Sequence, residues 1–298
     1  MTHIFTRPKK DGTHRVILNL KSLNEFVEND HCKMDSLSTA INLMNKNCYF
    51  ASINLKDTFF SIPAKESDRK YLRFTWNGML YQFTCLAQGL STCPRVFTKI
   101  MKCVFSDLRK KGHCNTGYID DSLLIGQSYD DIRDTVALVD SLGFTIHPEK
   151  SVFISTQEIH YLGFILNSRE MTVQLTHEKG GKIKESCQNV LKKSILSIRE
   201  FSELIGKMVA SEFGVPYAKL FHKRLHIAKN EQLGKHRGDY DAKFFLEEKC
   251  KEDLKWWVDN IEISKRQLCV ENPSYRWFLK VIHIFIDLGV IASKPRLS

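Results

Sequence analysis

The sequence predicts an α+β fold, an antiparallel sheet with helices packed on it and a helical region after it. Three observations carry this reading. Residues 49–56, YFASINLK, alternate apolar and polar side chains, the period of a strand with one polar face. Asn77-Gly78 lies between two aromatic runs, a strong hairpin signal. Residues 91–109 place Val96, Phe97, Ile100, Val104 and Leu108 at helical spacing.

Composition bounds the answer. A chain of 298 residues, 43% hydrophobic and 26% charged, buries a full core as one large or two modest domains and is not disordered. Its 44 Lys and Arg against 34 Asp and Glu give +10, which favours a polyanionic partner such as nucleic acid over an acidic small molecule. A merely soluble basic protein has the same balance. Nine cysteines without a C-x-x-C pair, and no signal peptide, predict reduced thiols in an intracellular protein of cytoplasm or nucleus, not a secreted one. The apolar runs, such as Val281 to Phe285, are too short to span a bilayer, so no membrane partner is expected.

In chain order, Thr6 to Arg15 is a basic loop turning at Asp11-Gly12 into a strand at Val16 to Leu18, an abrupt start that reads as a fragment. In the strand of residues 49–56, Ile53 and Leu55 share one face while Ser52, Asn54 and Lys56 share the other. Tyr71 to Phe74 and Tyr81 to Thr84 flank the Asn-Gly turn. Pro94 suits the first turn of the helix that follows. Thr116 to Ile125 reads as two short strands around Asp120-Asp121, then a helix from Asp130 to Leu142.

After Tyr161 to Ile165 the character shifts to lysine-rich helices, placing a boundary near residue 167. Ser197 and Glu200 form a capping box ahead of an apolar stripe of Ile198, Phe201, Leu204, Ile205, Met208 and Val209. Between Lys219 and Arg237 stand six Lys or Arg, three His and one acid, Glu231, a phosphate track or a solvated face. Phe244 to Ile261 predicts another amphipathic helix, with Trp256 and Trp257 in the core.

Tyr118-Ile119-Asp120-Asp121 sets two carboxylates at a hairpin tip, where they repel unless hydrated or neutralised by a cation such as Mg2+. Alone the motif is only suggestive. Its order along the chain adds specificity: a basic loop, a strand with a polar face, Gln88-Gly89, a helix, the Asp-Asp hairpin, Gly143-Phe144 with Lys150, then Tyr161-Leu162-Gly163. On these motifs the chain resembles retroelement reverse transcriptases. Lys-Lys-Asp-Gly, Leu-Lys-Asp and Gly-Leu-Ser-x-x-Pro-Arg-x-Phe-Thr-Lys look most like the DIRS type.

The resemblance implies a right-hand polymerase: fingers, an antiparallel-sheet palm and a helical thumb. It implies RNA or DNA template with primer and deoxynucleoside triphosphates as partners, and two Mg2+ ions, with Mn2+ an alternative. By similarity Asp120, Asp121 and the backbone carbonyl of Leu55 are metal ligands. The family reads Asp-Leu-Lys-Asp where this chain reads Asn54-Leu55-Lys56-Asp57, so the bridging aspartate is replaced. A neutral amide balances two dications poorly, and nucleotide addition is expected to be very low.

The same resemblance assigns Lys9, Lys10 and Arg15 to triphosphate binding, Asp57 to the neighbourhood of the incoming nucleotide, and Phe59 to a steric gate against a ribose 2′-OH. Gln88 and Gly89 match the turn that contacts the nucleotide, Lys150 the lysine near the leaving group, and Tyr161, Leu162 and Gly163 the primer grip. Each has a plain structural alternative: solvated lysines, a strand-end aromatic, a buried strand. Residues 1–166 correspond to partial fingers and palm, 167–229 to a thumb-like region, and 230–298 to connection-like helices with the severed start of an RNase H domain around Asp287. No RNase H activity is expected at this length, and the rival functional reading is a non-catalytic nucleic-acid-binding remnant.

Overall fold

The computed structural model describes residues 3–9, 12–28, 31–110, 112–128 and 130–268. Lys10, Asp11, Cys269, Val281 to Phe285 and Asp287 lie outside the described residues.

The chain opens with a hairpin, β1 (Ile4–Pro8) and β2 (His14–Leu18), that pairs Arg7 with Arg15 across the ladder. Two short helices follow, α1 (Lys21–Asn24) and α2 (Leu37–Leu43), the second started by a Ser36 capping box. Next comes β3 (Tyr49–Asn54), then the hairpin β4 (Arg73–Trp76) and β5 (Met79–Gln82). Asn77 and Gly78 turn this hairpin with φ of 48° and 76°, the left-handed pair that an Asn-Gly turn supplies. Its strands sit closer to the turn than the aromatic runs indicated.

Helix α3 (Cys93–Lys110) leads into β6 (Cys114–Tyr118), β7 (Asp121–Gly126) and α4 (Asp130–Ser141). With β8 (Val152–Thr156) these strands complete a four-stranded antiparallel sheet in the order β6-β7-β3-β8. Alternation in β3 sorts its side chains as expected. Ala51, Ile53 and Leu55 pack with Phe97, Met101, Phe105 and Leu108 of α3, while Phe50 faces a second core with Leu123 and Ile125. The buried stripe of α3 is therefore Phe97, Met101, Phe105 and Leu108. Val104 lies only half-buried at its border, because the larger side chains claim the contact with the sheet. Full burial of a side chain such as Phe97 contributes about 1.5–3 kcal/mol.

A second sheet joins β9 (Glu158–Tyr161), β10 (Phe164–Asn167) and β11 (Thr172–Leu175), with β14 (Lys265–Gln267) on the far edge. It draws strands from both sides of residue 167, and one core cluster runs from Leu37 to Leu268. Between β11 and β14 come α5 (His177–Leu191), β12 (Ile195–Ser197), α6 (Ile198–Val209), α7 (Ala218–Lys235), β13 (Lys243–Phe245) and α8 (Glu248–Asn260).

The Ser197 and Glu200 capping box starts α6, and the expected stripe is buried except for Val209, which is 39% exposed. Phe244 is not helical. It pairs with Leu196 in β13, and the helix starts only at Glu248. Trp257 is fully buried, and Trp256 stacks on Phe221 at 3.8 Å with an interplanar angle of 4°. Among the described cysteines all eight are free thiols, four of them buried. Burial pushes the Cys93 and Cys187 thiols up to about 12, which leaves them inert. No described helix is long and apolar enough to cross a membrane.

Candidate active site

The pairing of β3 with β7 sets Asn54 directly across from Asp121, and the tight turn Ile119-Asp120 closes β6 onto β7. Ile119 takes φ of 54°, so the turn stores a conformation that a β-branched residue rarely adopts. Asp120 is thereby held at the tip, its backbone carbonyl accepting from the Leu55 N–H at 2.9 Å. The amide Nδ2 of Asn54 donates to Asp121 Oδ1 at 2.5 Å. The opposite orientation would aim an amide oxygen at a carboxylate, so the electrostatics fix which atom faces Asp121.

Position 54 is held on its backbone side as well. Its N–H donates to Ser151 Oγ at 3.0 Å, that hydroxyl donates to the His147 carbonyl at 2.8 Å, and the His147 N–H returns to the Asn54 carbonyl at 2.8 Å. Lys56 N–H donates to Thr145 O at 2.7 Å. Ser151 has no motif of its own, and no sequence signal singled it out.

A cleft of about 230 Å3 brings together Asn54, Asp121, Lys150 and the Tyr161-Leu162-Gly163 turn. That turn joins β9 to β10 with Leu162 and Gly163 at φ of 49° and 78°. Tyr161 is buried, and burial together with the Asp121 charge drives its phenol pKa upward. Burial, then repulsion from Asp121, raises the Asp120 carboxyl above its ordinary value, while Arg15 and Lys150 pull it back. Arg15 and Lys150 thus both act electrostatically on the hairpin tip.

The remaining expected residues sit around this centre. Asp57 takes φ of 51° just past the strand and is exposed. Phe59 is half-buried and meets Phe97 edge-on at 6.1 Å. Lys9 lies in the β1–β2 turn, bonded through its backbone to Thr13. Gln88 accepts the Leu18 N–H at 2.9 Å through its carbonyl, and its side-chain Oε1 is buried without a partner among the described residues. The close approach that Gly89 permits is to the chain itself: a Cβ there would lie 2.1 Å from the Leu18 carbonyl oxygen, at φ of 114°.

Two adjacent carboxylates are chemically suited to a divalent cation, which would relieve the repulsion felt by Asp120. Asn54 turns its N–H2 rather than an oxygen toward Asp121, so the set lacks a third anionic ligand to bridge a second cation.

The fold is shared with solved structures of the foamy viral protease-reverse transcriptase. One solved with double-stranded DNA has TM-score 0.71 at 22% identity, covering 91% of this chain and 54% of that one. Another, solved with RNA/DNA hybrid, has TM-score 0.66 at 20% identity over 88% of this chain and 33% of that one. The molecule is therefore an α+β protein of the right-hand polymerase class.

Residues 7–166 match the family "Reverse transcriptase (RNA-dependent DNA polymerase)". The chain belongs to that family, whose members use divalent metal ions. Relatives include Polyprotein P3 of Commelina yellow mottle virus, 26% identical over 173 residues, 57% of this chain and 9% of the relative. The Gag-Pol polyprotein of Rous sarcoma virus is 27% identical over 56% of this chain and 11% of its own length. The Pol polyprotein from transposon gypsy of Drosophila melanogaster is 28% identical over 56% and 16%. The chain thus spans less than a fifth of the length of these relatives.

Proposed function

We propose that this chain is the polymerase portion of a DIRS-like retroelement reverse transcriptase in which Asn54 holds template-directed DNA synthesis at a very low rate. The observation that carries the reading is the Asn54 to Asp121 hydrogen bond at the centre of the cleft. It supplies by a neutral amide the compensation that a bridging metal ion would otherwise give to Asp121.

In this reading residues 1–166 form partial fingers and palm, 167–229 the thumb, and 230–298 a connection-like region. Asp120, Asp121 and the Leu55 carbonyl would hold Mg2+ or Mn2+, which would supply positive charge to the primer hydroxyl and the triphosphate. Arg15 and Lys9 bind triphosphate oxygens as charge-assisted donors, and Lys150 serves the leaving group. Phe59 excludes a 2′-OH by bulk, supported by its edge contact with Phe97. Tyr161, Leu162 and Gly163 position the primer end across the cleft from Asn54. The partners are RNA or DNA template with primer and deoxynucleoside triphosphates, in cytoplasm or nucleus.

A second reading, a non-catalytic nucleic-acid binder, is favoured by the same hydrogen bond together with the +10 charge. Primer extension on an RNA template with Mg2+ or Mn2+, comparing the chain with Asn54→Asp, separates the two. Extension restored by on the order of 100-fold in the variant supports a silenced polymerase. Template binding by both proteins with extension by neither supports the binder. Robust extension by the chain itself would sink both readings.

A further inference from the structure

Lys179 stands half-buried in the first turn of α5, and among the described residues no carboxylate pairs with its ammonium. Burial disfavours such a charge and lowers the pKa of this one, so an apolar side chain of similar length would pack there at less cost. Three contacts show what the cation reaches instead. Its Nζ donates at 3.2 Å to the carbonyl of Ala210, the residue that ends α6, where a helix leaves its carbonyls unpaired. The same Nζ lies over the Phe164 ring, 3.8 Å from its centroid. The stem crosses Gly163 so closely that a Cβ there would lie 3.0 Å from Lys179 Cδ.

Gly163 belongs to the turn that lines the cleft with Asn54, and Phe164 begins β10 just after it. The start of α5 fastens that turn a second time. The Thr176 N–H donates to the Gly163 carbonyl at 3.2 Å, while the Thr176 side chain caps α5 by accepting the Lys179 N–H at 3.4 Å. The segment after α6 closes on the same ring, since a Cβ at Gly214 would lie 3.2 Å from Phe164 Cδ1. Thr176 thus holds the turn through backbone, and Lys179 extends that hold to the end of α6.

We propose that Lys179 is a positioning residue that fixes the Tyr161-Leu162-Gly163 turn against the end of α6, keeping the cleft edge and the helical region in one arrangement. That the turn holds a primer end rests on the function proposed above; how the turn is itself held does not. The ammonium acts as a charged donor, so another cationic donor preserves the role and an apolar chain of similar length loses it.

The test compares the chain with Lys179→Met, which keeps the stem, and Lys179→Arg, which keeps a cationic donor. Hydrogen exchange at the Thr176 amide reads the attachment of the turn, and urea unfolding reads global stability. Loss of a hydrogen bond from a charged group should speed Thr176 exchange by about ten-fold in Lys179→Met, beyond any change in global stability, and Lys179→Arg should regain most of the protection. A primer-template duplex with 2-aminopurine at the primer 3′ end is added to all three proteins. Lys179→Met should lower the signal of the held base while leaving the affinity, set by phosphates, unchanged. If exchange responds as expected but the duplex does not bind or its signal does not change, the primer reading falls and the positioning role stands. Equal Thr176 exchange in the chain and in Lys179→Met, or exchange as fast in Lys179→Arg as in Lys179→Met, would overturn the proposal.

Discussion

Asn54 Nδ2 donates to Asp121 Oδ1 at 2.5 Å, joining β3 to β7 through side chains as well as through the ladder. An aspartate at position 54 would face Asp121 with like charge beside an Asp120 already disfavoured by burial. Asn54→Asp is therefore expected to lower the melting temperature by several degrees without metal, on the order of 1.5–3 kcal/mol for a lost bond to a charged group. Millimolar Mg2+ should restore most of it. Differential scanning fluorimetry with and without Mg2+ checks this, and an unchanged metal-free melting temperature would count against the amide's stabilising role.

Gly89→Ala places a Cβ 2.1 Å from the Leu18 carbonyl at φ of 114°, where the atoms it meets are backbone rather than a flexible side chain. A loss of at least about 2 kcal/mol is expected. Urea unfolding measures it. Gly78→Ala serves as the comparison, since there a Cβ meets nothing within 4 Å and only the positive φ is strained.

Arg224 Nη2 lies 3.0 Å from Oδ1 of Asp253, a residue whose side chain is 2% exposed and whose Oδ2 has no partner among the described residues. Arg224→Ala strands that carboxylate and is expected to cost about 3 kcal/mol at pH 7, the low end for a broken buried pair because Arg224 is half exposed. Burial raises the Asp253 carboxyl above its ordinary 3.8, against the pull of Arg224, so the folded chain holds this proton to higher pH than the unfolded chain. Stability from this group is complete below about 3.8 and is lost as pH rises through the raised value. The deficit of Arg224→Ala should accordingly shrink from pH 7 to pH 5, and a deficit independent of pH would contradict a stranded charge.

If nucleic acid is the partner, the +10 chain binds it largely through phosphates. Affinity for a primer-template duplex should then fall on the order of 1,000-fold between 50 and 200 mM salt. Fluorescence anisotropy at several salt concentrations gives the slope. A flat dependence would exclude a phosphate-dominated contact.

Much of this arrangement was legible in local sequence. The alternation in β3, the Asn-Gly turn and the Ser197 capping box each depend on neighbours within a few residues, and all three formed as expected. Other features depend on packing or on distant pairing. Of the expected stripe on α3, Phe97 and Leu108 are buried while Val96, Ile100 and Val104 are half-buried, because apolar residues line two adjacent faces and only the sheet decides between them. Phe244 lies in a strand rather than the expected helix, since a three-residue strand has no periodicity to detect. Ser151 supports Asn54 across 97 residues, a relation no local pattern encodes.

The turn at Gln88-Gly89 is fastened to the beginning of the chain. Leu18 N–H reaches Gln88, Asn24 Nδ2 reaches the Gly89 carbonyl 65 residues away, and Ser91 N–H returns to Asn24 Oδ1. During synthesis at about 5–20 residues per second, the opening hairpin therefore waits on the order of 3–13 s for the segment that fixes it. Until then Leu18 and Leu20, which end almost fully buried, lack the part of their cover that Ala87 and Leu90 supply. This hairpin is secured only after the later segment is made, and a nascent chain interrupted before Ser91 would present those two leucines to whatever binds exposed apolar side chains.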